Sequence, residues 1–208
     1  MHDLFGTSNS PILVPLQKAK AWYYPNFLSD SEATQLMSHL ASFYYWEQPS
    51  ITVYGKTHKI PRQAAWVANK EVGYDYAGVQ HQIQPWSSAL LHVKTQIEAT
   101  SNTTFNSALL NAYKNGLSKM GWHSDNESSL GPHPVIASLS LGASRRFDLR
   151  NRKNKNEVVK LSLGHGSLLL MGENVQNFYE HQASQQKRVE GKRINLTFRN
   201  VRTGLPIK

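Results

Sequence analysis

The sequence predicts an α+β fold that is mainly β. Two segments repeat their apolar residues at helical spacing, and both lie in the first half of the chain. After residue 104 the texture changes to short apolar runs separated by Gly, Asn, Pro and charges, as in a sandwich or barrel of short strands. At 208 residues the chain has the length of one domain and can bury a core without staples. Residues 1–208 are therefore expected to form a single domain, with helices in about 1–104 and a β-rich part in about 105–201.

The first helix is expected in "LSDSEATQLMSHLASF". Ser29 is its N-cap, Glu32 the capping-box partner, and Ala33, Leu36, Met37, Leu40 and Phe43 its apolar face. Next, "ITVYGKTHKIPRQAAWV" has a central "YGK" with alternating flanks, which predicts an exposed hairpin. The second helix is expected in "QPWSSALLHVKTQIEAT", with Pro85 near its start and Trp86, Leu90, Val93 and Ile97 on one face. Strands are expected in "FNSALLNAY", "VIASLSLG", "RRFDLR", "VVKLSL", "GSLLLMG" and "INLTFRNV".

Composition excludes several classes. Without cysteine there is no disulfide, thiolate metal site or cysteine nucleophile. The first residues lack the pattern of a secretory signal, and no apolar run is long enough to span a bilayer, so a soluble chain with no membrane partner is expected. Lys and Arg outnumber Asp and Glu by 23 to 14, which favours a polyanionic partner, the plain alternative being a solvated basic surface. Two basic segments stand out: "RRFDLRNRKNKNEVVK", with Arg145, Arg146, Arg150, Arg152, Lys153 and Lys155, and "QKRVEGKR", with Lys187, Arg188 and Lys192. Such charges suit phosphates, which give affinity without base specificity.

The stretch "KMGWHSDNES" places His123 two positions before Asp125. On an extended segment both side chains face one point. With one further histidine they would form the facial triad that holds a ferrous ion and leaves positions open. His181 in "NFYEHQAS" and His165 in "GHGSLLL" are the candidates, and spacing leaves the choice open. By itself, His-x-Asp is weak evidence, a surface histidine beside an aspartate being the commoner explanation. Near the end, "GKRINLTFRNV" presents Arg193, Asn195, Thr197 and Arg199 at every second position of a strand. Two arginines turned inward need anionic partners, which a small dicarboxylate would supply; solvated arginines on an edge strand are the alternative. Asn111 and Tyr113 likewise share a face in "LLNAYKNG".

In combination, "PRQAAWV…YDYAG", "FNSALLNAYKNG", "WHSDNESSLG", "IASLSLGASRRFDLR", "HGSLLLM" and "RINLTFR" resemble the AlkB family of iron(II) and 2-oxoglutarate dioxygenases, over about residues 20–201. The resemblance implies a double-stranded β-helix, or jelly roll, with a nucleotide-recognition lid built from the N-terminal half. It implies Fe(II) held by His123, Asp125 and His181, with His165 in a structural position. It implies a 2-oxoglutarate pocket lined by Asn111, Tyr113, Arg193, Asn195, Thr197 and Arg199, the arginines pairing the carboxylates, and dioxygen as the other cosubstrate.

The activity implied is oxidative demethylation of alkylated DNA, with 1-methyladenine and 3-methylcytosine as targets and formaldehyde, succinate and CO2 as products. The target base must leave the stack to be reached. Tyr74 and Tyr76 match lid positions that contact the nucleotide, and Tyr54, in "VYG", matches an aromatic finger at the hairpin tip in a duplex-repairing branch. Glu127 matches an acidic position that favours a cationic base, although Asn126 between the two acids lowers the local negative charge. Among the basic residues, Arg145, Arg152, Lys153 and Lys155 are the expected strand contacts. The alternatives are an RNA or tRNA demethylase or hydroxylase of the same family, and a nucleic-acid-binding jelly roll with a vestigial metal site. A monomer is expected, cytoplasmic, or nuclear in a eukaryote.

Overall fold

The computed structural model describes residues 10–48, 50–53, 56–59, 61–72, 75–76, 79–80 and 82–202, with the backbone alone for 50–53, 56–58, 75–76 and 79–80. The first half contains β1 (Ile12–Leu13), β2 (Ala21–Tyr24), α1 (Asp30–Phe43), β3 (Ser50–Val53), β4 (Lys56–Lys59), β5 (Gln63–Ala68), β6 (Asp75–Tyr76), β7 (Val79–Gln80), β8 (Ile83–Gln84) and α2 (Ser88–Ser101). The second contains β9 (Ser107–Tyr113), β10 (Met120–His123), β11 (Ile136–Gly142), β12 (Arg145–Asn151), β13 (Val158–Leu163), β14 (Ser167–Met171), α3 (Val175–Phe178), β15 (Tyr179–Ala183) and β16 (Arg193–Arg199). All six segments expected to be strands after residue 104 are strands. No helix among the described residues is long and apolar enough to cross a membrane.

A large sheet has the order β1-β2-β14-β11-β16-β9-β5-β8, and a smaller one the order β10-β15-β12-β13. Because β2, β5 and β8 from the first half pair into the large sheet, the two parts of the chain share one scaffold. The hairpin β3–β4 pairs through Val53 and Lys56, and its tip lies outside the described residues.

Alternation along the central strands separates two cores. On one face of the large sheet, Leu110, Leu139, Leu168, Leu196 and Phe198 pack with Leu36 and Leu40 of α1 and Leu90, Val93 and Ile97 of α2. On the other, Trp66, Ile136, Leu169 and Met171 meet Phe147, Leu149 and Leu163 of the smaller sheet. The result is three layers: helices, large sheet, small sheet. Full burial of each such side chain contributes about 1.5–3 kcal/mol.

Capping sets where the helices start. Ser29 Oγ accepts from Glu32 N at 3.3 Å while Glu32 Oε2 accepts from Ser29 N at 2.9 Å, the reciprocal box expected from the sequence. Phe43 departs from expectation: it is 51% exposed and stacks on His39 instead of entering the core. The second helix starts later than Pro85 suggests, because Ser87 Oγ accepts from Leu90 N and caps it there. Trp86 therefore precedes the helix, and its ring stacks on Phe198.

Candidate active site

Strands β10 and β15 are antiparallel neighbours with His123 opposite His181, so both imidazoles stand on one face. The expectation of an extended His-x-Asp is met only in part. Strand β10 ends at His123, and Asp125 lies beyond it, without a ladder partner. It is held instead by three contacts. Its backbone N–H donates to Gln176 Oε1 at 2.9 Å, its Oδ1 accepts from Arg199 Nη2 at 2.7 Å, and the neighbouring Ser124 Oγ donates to Tyr179 O at 2.9 Å. One ligand atom from each of His123, Asp125 and His181 lies within 4.8 Å of the others, with Asp125 Oδ2 3.8 Å from His181 Nε2.

The electrostatics leave these groups ready to bind a cation. Burial works against ionisation of Asp125, but Arg199, His181 and His123 outweigh it and hold the carboxyl down at about 2. Burial holds the imidazole of His181 down at about 3, against the pull of Asp125, so it is neutral and keeps a lone pair. In His123, Nδ1 is 2.8 Å from Gly121 O; the carbonyl can only accept, so Nδ1 carries the hydrogen and Nε2 is left as the donor atom for a metal. Phe147 stacks on the ring of His181, their centroids 5.2 Å apart.

The second half of the site comes from three adjacent strands of the large sheet. Registers place Asn195 beside Asn111 and Ser140, and Arg193 beside Tyr113. On β16, Arg193, Asn195, Thr197 and Arg199 are all buried on one face, as expected, with Ile194, Leu196 and Phe198 turned to the helices. Arg193 Nη2 donates to Ser140 Oγ at 2.9 Å and Asn195 Oδ1 at 2.6 Å, and Asn195 Nδ2 donates to Thr197 Oγ1 at 3.0 Å. The Arg193 guanidinium lies over the Tyr113 ring, 5.4 Å from its centroid. Burial brings Arg193 down to about 10, a value at which it is still cationic at neutral pH. Its Nε is buried with no hydrogen-bond partner among the described residues. Beside Arg193 and Tyr113 a cavity of about 570 Å³ opens, lined also by Trp46, Arg62, Lys114 and Lys192.

Several residues of this site carried no functional signal when read alone. Ser138 and Ser140, at alternate positions of "IASLSLG", both donate toward Asn195, and that alternation is the signal that could have found them. Arg62 donates from Nε to Asn111 Oδ1 at 2.8 Å, from a stretch whose sequence suggests only a hairpin arm.

Other expectations fall in different places. His165 lies apart from His123, Asp125 and His181: its Nδ1 accepts from Gly142 N at 2.8 Å and its Nε2 is 3.1 Å from Thr34 Oγ1, so it ties α1 to the end of β11. Arg145 requires a correction. It is 2% exposed and donates to the carbonyls of Asn115, Gly116, Ser118 and Ser184, so it braces two loops and presents no charge to a phosphate. Arg150 is bound to Glu180 and lies over Trp122 at 4.0 Å, and Lys155 also pairs with Glu180. Arg152, Lys153 and Lys155 are exposed between β12 and β13. Glu127 is half-buried, with Oε2 enclosed and without a hydrogen-bond partner among the described residues. Tyr54 and Tyr74 lie outside the described residues, and Tyr76 is described by its backbone alone, in β6.

Residues 20–199 match the 2OG-Fe(II) oxygenase superfamily. The human alpha-ketoglutarate-dependent dioxygenase alkB homolog 3 is 35% identical over 198 residues, 91% of this chain and 68% of the relative. The human DNA oxidative demethylase ALKBH2 is 31% identical over 188 residues, 86% of this chain and 72% of the relative. The chain belongs to the AlkB family of 2OG-Fe(II) oxygenases. It spans about two-thirds of the length of these AlkB relatives. Among solved structures it is similar to OsALKBH1, with a TM-score of 0.61 at 16% identity over 90% of this chain and 99% of that one. A prolyl hydroxylase complex from Trichoplax adhaerens gives 0.57 at 16% identity, over 86% and 83%. These neighbours share the jelly-roll fold formed by the two sheets of this chain.

An AlkB-family dioxygenase takes Fe(II) and 2-oxoglutarate, and the residues present fit both. Two imidazoles and an anionic carboxylate converge as a ferrous ion requires. The buried Arg193, whose Nε–H has no partner among the described residues, is suited to a carboxylate.

Proposed function

We propose that the chain removes N-alkyl groups from nucleic-acid bases by oxidation, with 1-methyladenine and 3-methylcytosine in DNA as substrates. The observation that carries this reading is the 2.7 Å contact between Arg199 and Asp125, which joins the metal-binding group to the cationic row of β16. A metal ligand and a dicarboxylate pocket sharing one ion pair suit a cosubstrate that binds both. The names of the relatives support the substrate class: one of them is a DNA oxidative demethylase.

In this reading His123, Asp125 and His181 hold iron, which with 2-oxoglutarate supplies the oxidising chemistry when bound. Arg193 and Arg199 provide counter-charge for the two carboxylates of the cosubstrate, with Asn111, Tyr113, Asn195 and Thr197 lining its pocket. One oxygen atom of O2 ends in succinate as CO2 leaves; the other ends in a hydroxymethyl group whose O–H proton is lost as it departs as formaldehyde, the C–N bond pair returning to the ring nitrogen as its lone pair. No step needs a nucleophilic side chain. Glu127, with an enclosed oxygen that has no hydrogen-bond partner among the described residues, is suited to the amino group or positive charge of an alkylated base. Tyr74 and Tyr76 are assigned to the lid that holds the flipped base, and Arg152, Lys153 and Lys155 to phosphates.

The test is anaerobic reconstitution with Fe(II) and 2-oxoglutarate, followed by exposure to air and mass spectrometry on methylated single-stranded DNA, duplex DNA and RNA. Loss of the mass of a CH₂ unit for every methyl group removed, matched by formaldehyde release, is the expected result on DNA. Turnover confined to RNA moves the substrate class, and 2-oxoglutarate consumption with no demethylation of any of the three removes the proposal.

A further inference from the structure

We infer that Gln176 is a positioning residue for Asp125, acting through that residue's backbone to set how the carboxylate meets a metal ion. The inference rests on the reading of His123, Asp125 and His181 as a metal-binding group.

The reasoning begins with where the backbone hydrogen bonds go. An N–H inside a sheet is satisfied by its ladder, but β10 stops at His123 and Asp125 is buried beyond it. A buried N–H without a partner would cost about 1–3 kcal/mol. Gln176 supplies the missing acceptor, at 2.9 Å. Its own environment shows that this is its main engagement. The residue is 0% exposed, and among the described residues its amide nitrogen reaches only Met171 Sδ, at 3.5 Å, a weak acceptor. A primary amide enclosed beside a thioether is a costly choice where a methionine or leucine would fill the space, unless its oxygen is needed.

The position of Gln176 along the chain adds to this. It sits on α3, a single turn that runs directly into β15 and so to His181. Ser124 Oγ is bound to Tyr179 O in the same segment. Residues 176–181 therefore contribute one metal ligand and anchor the backbone on which a second is carried. Arg199 holds the carboxylate of Asp125 at its tip, and Gln176 holds it at its root. Without Gln176 the backbone N–H of Asp125 has no acceptor and the segment is tied only through the Ser124 side chain and the carboxylate tip, so the peptide at Asp125 can shift and the carboxylate with it.

The experiment uses Co(II) as the probe, titrated into the metal-free full chain and followed by visible absorption, with Tm measured alongside. Gln176→Met keeps the volume and removes the amide acceptor. Gln176→Glu keeps an oxygen at the same reach in either protonation state. Gln176→Met should weaken Co(II) binding by about 10- to 100-fold and alter the band shape, as loss of an outer partner of a metal ligand does. Gln176→Glu should stay within about threefold of wild type, since it retains the acceptor. Wild-type affinity and spectrum in Gln176→Met would overturn the inference, as would a loss in Gln176→Glu as large as that in Gln176→Met. If Gln176→Met does not fold, Gln176→Glu decides: wild-type-like binding supports the assignment and weakened binding overturns it. A wild-type chain that takes up no Co(II) overturns the metal reading itself, and this inference with it.

Discussion

His123 and His181 are direct partners across the β10–β15 pair, their ring centroids 4.3 Å apart and their planes inclined at 62°. The sheet itself fixes this juxtaposition, because residues opposite one another on antiparallel strands project from the same face. Asp125 has no such support and depends on individual hydrogen bonds. The two histidines should therefore tolerate changes around them better than the carboxylate does.

The proposed metal-binding group can be tested residue by residue. His123→Ala, Asp125→Ala and His181→Ala should each lose stoichiometric iron and abolish turnover, measured by elemental analysis and formaldehyde release. His165→Ala should keep its iron and lose stability instead, since His165 Nδ1 accepts from Gly142 N. Full iron content in any of the first three would remove that residue from the group.

Arg193 and Arg199 should separate cosubstrate binding from metal binding. Arg193→Ala leaves a carboxylate unmatched and should weaken 2-oxoglutarate by about 10- to 100-fold, the equivalent of a charge-assisted bond worth about 1.5–3 kcal/mol, with little change in metal affinity. Arg199→Ala should weaken both, because Arg199 also holds Asp125. Calorimetry with an inert analogue on the metal-loaded protein, beside a metal titration, reads the two effects separately.

In the metal-free protein the same ion pair has a signature in pH. Asp125 has a carboxyl lowered from 3.8 to about 2, so it contributes stability that is present above pH 3.8 and lost as the pH falls toward 2. Arg199→Ala removes the main stabilising charge. Chemical denaturation between pH 6 and pH 2 should show a shallower fall in the variant, and identical slopes would mean that the pair contributes nothing to folding.

Arg145 and Arg152 stand only seven positions apart but should behave oppositely. Arg145→Leu strands four carbonyls and should lower stability by about 3 kcal/mol or more, roughly 10 °C in Tm. Arg152→Ala with Lys153→Ala should leave Tm unchanged, weaken binding to methylated DNA and flatten its salt dependence. An unchanged salt slope would place the nucleic acid elsewhere on the surface.

Substrate form can be addressed at Tyr54, the finger residue expected from the sequence. Tyr54→Ala should reduce activity on a lesion in duplex DNA much more than on the same lesion in a single strand, because only the duplex leaves a gap to be filled when the base departs. Equal losses on both substrates at one salt concentration would remove the finger assignment.

How much of this was legible in the sequence varied with the physics involved. The polar row of β16 could be read directly, since a two-residue period is a property of the strand alone and holds wherever the strand is placed. His181 could be named as a candidate but not chosen over His165, because the choice depends on which strand pairs with β10. Arg145 misled because a charge within "RRFDLRNRKNK" reads as solvated, and nothing local reveals two loops whose carbonyls lack donors. Gln176 was silent for a related reason: the N–H it satisfies lies 51 positions earlier in the chain and is orphaned only because β10 ends where it does.

The strict division of β16 into Leu196 and Phe198 under the helices and Asn195 and Thr197 in the site has an evolutionary consequence. Inserting or deleting a single residue within this strand would exchange the two sets, driving arginines beneath α1 and α2 and filling the site with aliphatic side chains. Substitution is thus the one path by which lineages can remodel this strand, while gain and loss of length are confined to its flanks. Among homologues, gaps in an alignment should cluster before Arg193 and after Arg199 and be missing between them.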